Sequence, residues 1–361
     1  MLYDFAFANS VLIIISNLLK MKKLHVTLGL LFFLCVSSIF AQSKYQITNK
    51  ITIGGDGGWD YLSMDVATSR LFVSHGNVVN VVDVAAGKLI ATIPDTKGVH
   101  GIALANDLNK AFISNGRDTS VTVIDLKTLN FIARVKVTGN NPDAILYDPF
   151  SHKVFTFNGR SSNSTVIDAV TNKVIGTIAL SGKPEFPVTD SNGKIYVNIE
   201  DKSSISAIDV KTLKVLQTWS IAPGDGPSGL AFDVKNHRLF SVCGNKLLVV
   251  SNPESGKVVT TVKIGENVDG VSFDASQNRI YTSNGDGSMT IIQEKDADTY
   301  TVLETFPTVR GARTITLNSK THKLYLPAAE YGETPAATDQ NPRPRATMKP
   351  GSFMVLEVGL K

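Results

Sequence analysis

Polar residues, six of the seven ionisable, recur at one register position in this sequence, each at the start of a predicted strand. Counted back from seven similar aromatic strands, the equivalent positions hold Asp60, His100, Asp143, Glu185, Ser228, Asp269 and Arg313. Carboxylates and histidine are side chains that ligate divalent metals or act as general bases. The candidate catalytic residues are therefore His100, Asp143, Glu185 and Asp269, and Asp60 joins these four as a candidate metal ligand.

Carboxylates gathered in one ring cannot all ionise without compensation. At a separation of about 8 Å and an effective dielectric of about 20, each pair repels by roughly 2 kcal/mol. Arg313 and His100 offset part of this charge, and raised carboxyl pKa values, water or a bound cation must offset the rest. Mixed nitrogen and oxygen ligands favour manganese, iron or zinc over calcium. The alternative is a hydrated polar lining that binds nothing, and the sequence leaves the cofactor unknown.

A second set of polar residues follows the aromatic strands in the loops predicted on the same face. Its candidate ligand-binding members are His75, Arg117, Arg160 and Glu200, to which Arg313 is added from the ring. Arg117 and Arg160 recur in the same Asn-Gly-Arg context of adjacent repeats, and two neighbouring guanidinium groups suit a carboxylate or phosphate. Salt bridges between repeats are the competing use. We ascribe the Asn-Gly pairs to the positive φ of tight hairpins.

These residues belong to an internal repeat of about 42 residues. The aromatic strands that define it begin at Leu71, Ala111, Val154, Ile195, Leu239, Ile280 and Leu324. Each is followed by a turn, a strand that ends near an acidic residue, and a fourth strand, with apolar residues alternating at the period of two that half-buried strands show. A repeat with four strands is a propeller blade, so the sequence predicts an all-β, seven-bladed β-propeller of four-stranded antiparallel blades.

The seventh repeat lacks its outer strand. After Leu324 it offers only one further strand, at 353–358, whereas the segment 45–53 (YQITNKITI) precedes the first repeat and resembles the fourth strand of the others. We expect this N-terminal strand to pair with the C-terminal one and close the ring. Closure removes two exposed sheet edges that would otherwise template aggregation.

The strands IYVN at 195–198 and YTSN at 281–284, with the recurring VID and KVIxTI segments, resemble the YVTN-repeat propellers of the YncE type. The resemblance covers essentially all of the chain after residue 41 and implies the same seven-bladed fold. Its relatives by fold include binding proteins, surface-layer proteins, lactonases and redox-enzyme domains, and one YncE-type protein is regarded as DNA-binding. A shared fold does not decide among these functions.

The first 41 residues are predicted to be a secretory signal, with the true start at Met21. Lysines at 22 and 23 precede an apolar run at 24–36, and no apolar run approaches the roughly 18 residues of a membrane span. Loss of three lysines and one aspartate lowers the formal charge from +4 to +2, which does not suggest a polyanion binder. Residues 42–361 are then one propeller, expected to be periplasmic or secreted and monomeric.

One long insertion interrupts the seventh repeat at 327–351, where the other repeats have a tight turn. It contains five of the 14 prolines, which restrict its freedom, and a loop of this length is uncommon without a function. We expect a semi-rigid flap over the channel whose contacts are Glu330, Arg343 and Arg345.

Three functions remain open from the sequence. The first is a binding protein for a small anionic ligand, a peptide or a polymer at one face of the channel. The second is a metal-dependent lactonase, hydrolase or lyase that uses the acidic ring. The third is DNA binding, suggested by the resemblance and disfavoured by the near-neutral charge. Cys243 has no neighbouring base, and His152, His237 and His322 are expected in turns on the opposite face.

Overall fold

A computed structural model of the chain describes residues 44–336, 338, 344 and 346–361. The predicted signal at 1–41, together with Arg343 and Arg345 of the predicted flap, lies outside the described residues. The unit Tyr45–Lys361 contains seven antiparallel sheets of four strands each, as the repeat predicts. Within each of the first six blades the strands follow one another in chain order from the channel outward.

The strands fall into four layers, numbered here along the chain. The innermost strands are β2 (Trp59–Asp65), β6 (Val99–Ala105), β10 (Pro142–Asp148), β14 (Pro184–Thr189), β18 (Pro227–Asp233), β22 (Val268–Asp274) and β26 (Thr316–Asn318). The second strands are β3 (Arg70–His75), β7 (Lys110–Asn115), β11 (Lys153–Asn158), β15 (Lys194–Ile199), β19 (Arg238–Cys243), β23 (Arg279–Asn284) and β27 (Lys323–Ala328). The third strands are β4 (Val78–Asp83), β8 (Ser120–Asp125), β12 (Asn163–Asp168), β16 (Ser204–Asp209), β20 (Leu247–Ser251), β24 (Ser288–Asp296) and β28 (Met354–Leu360). The outer strands are β5 (Lys88–Ile93), β9 (Phe131–Lys136), β13 (Lys173–Ala179), β17 (Lys214–Ser220), β21 (Val258–Lys263), β25 (Thr299–Pro307) and β1 (Tyr45–Thr52).

The apolar core lies between neighbouring sheets. The second and third strands are buried on both faces, whereas outer strands such as β5 and β13 alternate exposed with partly buried residues. One cluster joins Phe72 and Val81 of blade 1 to Ile113 and Ile124 of blade 2, and equivalent clusters separate the other blades. Burial of apolar area between sheets therefore holds the ring together.

Blade 7 confirms the predicted closure, because its strand order is β26-β27-β28-β1 from the channel outward. Strand β1 pairs antiparallel with β28 from Tyr45 opposite Leu360 to Thr52 opposite Met354. At the inner edge of the ring, the Thr314 hydroxyl donates to the backbone carbonyl of Asp60 at 2.6 Å, which joins blade 7 to blade 1.

The insertion of blade 7 begins two residues later than the sequence suggests. Pro327 still pairs with Val355 inside the sheet, so the connection runs from Ala329 to Phe353. Its base continues the hairpin: Tyr331 bridges Met348, the Gly332 amide donates to the Thr347 carbonyl at 2.9 Å, and the Gly351 amide donates to the Asp56 carboxylate at 3.2 Å.

Helix is confined to two short 3-10 turns in the described residues, Asn106–Leu108 and Glu200–Lys202. Within that part of the chain no helix has the length and hydrophobicity required to cross a membrane.

Candidate functional site at the channel mouth

The sequence register places seven polar residues around one end of the central channel, and we call them the mouth ring. Asp60, His100, Asp143, Glu185, Ser228 and Asp269 are each the second residue of an innermost strand. Arg313 lies three residues before the short β26. It occupies the same position because Ser283 donates to its carbonyl at 2.5 Å, as Ser114 donates to the carbonyl of Asp143 at 2.6 Å.

Five members of the mouth ring form one chain of ionic contacts. Arg313 Nε donates to Asp269 Oδ2 at 2.6 Å, and an Arg313 terminal nitrogen lies 3.7 Å from Asp60 Oδ1. Asp60 Oδ2 in turn lies 2.7 Å from His100 Nδ1, which is also 3.5 Å from Asp143 Oδ1. Basic groups thus separate the three carboxylates, which is the compensation that their mutual repulsion requires.

A lysine that was not among the predicted site residues pairs with two further carboxylates, one in the ring and one in a loop. Lys183 Nζ lies 2.7 Å from Glu185 Oε1 and also contacts Glu200, so it joins the ring to the loop after β15. The signal was present in the sequence, because Lys183 stands two residues before Glu185, immediately before β14, and the long flexible stem of lysine reaches a carboxylate at this spacing. Glu200, a candidate ligand-binding residue, is therefore occupied by an internal ion pair.

Burial favours the neutral forms of the ring carboxyls. It raises the pKa of Asp143 to about 6, although His100 acts in the opposite direction. Burial also raises the pKa of Asp269 against the effect of Arg313, and burial with the nearby Asp143 charge raises that of Glu185 against Lys183. For His100, burial lowers the pKa, but the hydrogen bond to Asp60 and the surrounding carboxylates outweigh it, so the net pKa is raised.

An aromatic pair lines the channel beneath the ring. Tyr61 and Phe186 place their ring centroids 5.2 Å apart, and they line a cavity of about 310 Å³ with Ile102, Ala144 and Thr316. Burial and the charge of Asp143 raise the pKa of Tyr61 well above its ordinary value, so its hydroxyl stays protonated. The mouth ring therefore opens onto a cavity that contains both aromatic and polar groups.

The recurring Asn-Gly pairs have a different explanation from the one expected. Asn115, Asn158 and Asn284 are fully buried at the ends of second strands, and none of the Asn-Gly residues at these three places has a positive φ. Each amide donates across its loop to the third strand, as Asn115 does to Thr122 at 2.8 Å. Space is short after two of these asparagines: a Cβ on Gly116 would lie 2.6 Å from Nε2 of His100, and a Cβ on Gly285 would lie 2.7 Å from the Asn267 carbonyl oxygen, whereas Gly159 has room for one.

Arg117 and Arg160 are exposed on the rim of the mouth in blades 2 and 3. Neither guanidinium has an ion-pair or hydrogen-bond partner within the described part of the chain. The stem of Arg117 packs over Gly98, two residues before His100, where a Cβ would lie 2.5 Å from Arg117 Cγ. The salt bridge that does form nearby uses Arg134 and Asp118, at 2.8 Å.

The other candidate residues are dispersed. His75 is buried beneath the glycine linker 54–58, where its Nδ1 lies 3.0 Å from Asn80 Oδ1 and its ring packs at a tilt of 31° against Phe353. Burial lowers the pKa of His75. Cys243 is fully buried, which raises its thiol pKa to about 12. Glu330 pairs with Lys349 at 3.1 Å in the base of the insertion. These three residues therefore lie outside the chain of contacts at the mouth.

The histidines of the opposite face occupy turns, as the repeat predicts. His152, His237 and His322 all have positive φ and stand immediately before a second strand, and each has a carboxylate neighbour. His322 Nδ1 lies 2.7 Å from Asp274 Oδ2, the same length as the His100–Asp60 contact. Among the described residues this pair belongs to no group of three ligating side chains, so the opposite-face contact is a useful reference for the mouth.

Comparison with known proteins supports the fold alone. No protein-family model and no curated protein matches the sequence. A solved structure titled Kuenenia stuttgartiensis Hydrazine Synthase superposes with a TM-score of 0.67 at 16% identity, covering 76% of this chain and 94% of that one. A chain of the Crystal Structure of Mitotic Checkpoint Complex superposes with a TM-score of 0.69 at 14% identity, covering 80% and 91%. At such identities the likeness establishes a seven-bladed propeller, and membership of the YVTN group stays a prediction.

Proposed function

We propose that this chain is an exported, monomeric YVTN-type propeller that binds an anionic small molecule, peptide or polymer on the rim of its channel mouth. The supporting observation is the contrast between two sets of cations on this face. Lys183 and Arg313 are held by ring carboxylates, whereas the exposed Arg117 and Arg160 have no ionic partner among the described residues. Unpaired guanidinium groups on adjacent blades offer a two-point contact to carboxylate or phosphate.

The ring carboxylates place such a ligand on the rim and not in the channel. An anion centred on the axis would meet Asp60, Asp143, Glu185 and Asp269, and only part of their charge is offset by Arg313, Lys183 and His100. An anion displaced toward blades 2 and 3 meets Arg117 and Arg160 first. Repulsion by the ring carboxylates therefore keeps an anionic ligand out of the channel, while attraction to the two rim arginines binds it.

The first prediction concerns the paired arginines. Replacing both in Arg117→Ala/Arg160→Ala should weaken binding of citrate or a short oligoglutamate by about tenfold to a hundredfold, because a charge-assisted hydrogen bond contributes roughly 1.5–3 kcal/mol before solvent screening. Isothermal titration calorimetry at low ionic strength measures the affinity. The matched control is Lys173→Ala/Lys214→Ala, which removes the same charge from exposed positions on the opposite face.

Equal losses of affinity in both double variants would contradict a rim site. Binding of oligonucleotides with a steep salt dependence would favour the nucleic-acid alternative.

A second candidate function rests on the geometry of three ring residues. One ligand atom from each of Asp60, His100 and Asp143 lies within 4.8 Å of the other two, which is the arrangement that a single metal ion requires. One histidine and two carboxylates suit zinc, manganese or iron. A divalent metal bound there would supply a Lewis acid to polarise a carbonyl or a bound water. Glu185 is held by Lys183 and Asp269 by Arg313, so these two acids are the less available ligands.

Metal binding is the second prediction. The protein purified without chelators should bind about one zinc or manganese ion per chain, and Asp143→Asn or His100→Ala should lower the affinity for added metal by at least tenfold. Elemental analysis and competition with a fluorescent chelator measure both. His322→Ala is the control, because it removes an opposite-face His–Asp contact of the same length without touching the mouth. Absence of metal binding in the unsubstituted protein would refute this candidate.

A further inference from the structure

A second cavity opens on the mouth face between blades 6 and 7, apart from Arg117 and Arg160 on blades 2 and 3. Its volume is about 680 Å³, within the usual range of small-molecule sites. One wall is the connection between β25 and β26, at Val309, Arg310 and Gly311, and the other is the base of the blade 7 insertion, at Glu330 and Tyr331. We call this cavity the blade 6–7 cleft.

The walls of the cleft are fixed by their own backbone hydrogen bonds. The Gly311 amide donates to the Gly285 carbonyl at 2.9 Å, and the Ala312 amide donates to the Val309 carbonyl at 3.0 Å. Across the cleft, the Lys349 amide donates to the Glu330 carbonyl at 2.8 Å beside the Tyr331–Met348 bridge. Because these groups are already paired, a ligand does not have to order the walls when it binds.

Among the described residues, the cleft carries one positive charge without an ionic partner. Lys349 Nζ lies 3.1 Å from Glu330 Oε2, so these two lining charges neutralise each other. Arg310 is exposed, lines the cleft, and has no ion-pair or side-chain hydrogen-bond partner in the described part of the chain. Its guanidinium is therefore free for an anionic group on a ligand.

An exposed aromatic ring lies on the opposite wall. Tyr331 is 37% exposed, and behind it lies the buried indole of Trp59, with ring centroids 6.5 Å apart. Gly311 keeps the ring accessible, since a Cβ there would lie 3.5 Å from Tyr331 Cε2 and a longer side chain would cover it; its φ of 86° also disfavours other residues. The packed indole supports Tyr331, which presents a flat surface to the cleft.

From these features we propose that the blade 6–7 cleft binds an aromatic carboxylate, with the ligand ring against Tyr331 and its carboxylate on Arg310. Each part of this ligand matches one feature of the cleft. Its planar ring packs on the exposed face of Tyr331, and its carboxylate pairs with Arg310, which has no ionic partner among the described residues. The absence of a side chain at Gly311 leaves room for the ligand ring beside Tyr331. This binding is independent of the rim site, because the two share no residue.

The test is a titration with benzoate, 4-hydroxybenzoate and indole-3-acetate, followed by two-dimensional NMR of the 15N-labelled protein. At least one acid should shift the amides of Gly311, Tyr331 and their neighbours in a saturable manner. Arg310→Gln should weaken binding of that acid at least tenfold. The primary amide of the same acid carries no negative charge, so the unsubstituted protein should bind this amide about as weakly as Arg310→Gln binds the acid. Tyr331→Ala should weaken binding of the acid and of the amide to a similar extent, because both use the aromatic contact.

The rim variant Arg117→Ala/Arg160→Ala is the control and should bind the acid with unchanged affinity. Loss of binding in that variant would assign the acid to the rim and overturn the cleft proposal. Equal affinity for acid and amide, or for the unsubstituted protein and Arg310→Gln, would overturn it too, as would the absence of saturable shifts with all three acids. Arg310 is exposed, so unchanged spectra elsewhere verify that its variant is folded.

Discussion

Removal of residues 44–53 is expected to give a protein that aggregates or melts at a markedly lower temperature. Strand β1 buries Tyr45 and Ile51, which are 4% and 2% exposed, and each such side chain contributes roughly 1.5–3 kcal/mol. The Tyr45 hydroxyl lies 2.9 Å from that of Tyr281, and Arg279 donates to it at 2.8 Å, so the strand also joins blade 7 to blade 6. The combined loss is a large part of the 5–15 kcal/mol that stabilises an ordinary domain.

The truncation also exposes the edge of β28, whose residues Val355, Leu356 and Val358 are fully buried in the intact ring. An unpaired, apolar strand edge associates with other chains. Circular dichroism melting and size-exclusion chromatography with light scattering measure the two effects. Ile51→Ala should cost about 2–5 kcal/mol by itself, whereas Thr52→Ala, at an exposed position of the same strand, should cost less than about 0.5 kcal/mol. A truncated protein with unchanged melting temperature and monomeric elution would show that closure by β1 is dispensable.

Substitution of Arg313 by methionine should destabilise the protein by about 2 kcal/mol at pH 8. Breaking a fully buried ion pair costs roughly 3–5 kcal/mol, and the figure is reduced here because the Arg313 side chain is 42% exposed. Methionine keeps much of the aliphatic bulk but leaves the carboxylates of Asp269 and Asp60, at 2.6 and 3.7 Å from the lost guanidinium, without that cation. Urea unfolding followed by circular dichroism measures the free energy.

The effect of this substitution should depend on pH. Burial already raises the folded-state pKa of Asp269 above that of the unfolded chain, so ionisation of this group lowers stability as pH rises through the folded pKa. Loss of Arg313 raises the pKa of Asp269 further. The free energy of unfolding lost on Arg313→Met should therefore be small near pH 4 and largest at pH 8. The second change Asp269→Asn should restore much of the loss at pH 8. A deficit that is equal at both pH values and insensitive to Asp269→Asn would indicate lost packing and not lost charge pairing.

The repeat made the scaffold and the mouth ring predictable. A period of about 42 residues fixed the number of blades, and the register of the aromatic strands placed Asp60, His100 and Asp143 at equivalent positions on adjacent blades. Register is strongly specified in such strands, because a slip by one residue would turn every buried side chain toward solvent. For the same reason the N-terminal strand could be assigned to blade 7.

The partners of the ring residues were not predictable to the same degree. Salt bridges between repeats were the alternative use of Arg117 and Arg160, and neither arginine forms one among the described residues. Lys183, which was not among the predicted site residues, is the counter-ion of Glu185. The Asn-Gly pairs show the same limit: composition pointed to turn geometry, but the buried Asn115 amide spans its loop to Thr122. Long polar side chains have several partners within reach, and their choice depends on the packing of neighbouring blades.

The sequence alone thus determined a closed seven-bladed ring and the face on which its polar residues collect, since both follow from strand periodicity and repeat length. Tertiary structure decided which of these polar groups are free. It joined Arg313 to Asp269 and Lys183 to Glu185, buried His75 beneath the glycine linker, and left Arg117, Arg160 and Arg310 without ionic partners in the described residues. Charge pairing and burial are relations between distant segments of the chain, and only their positions in space determine which charges remain available to a ligand.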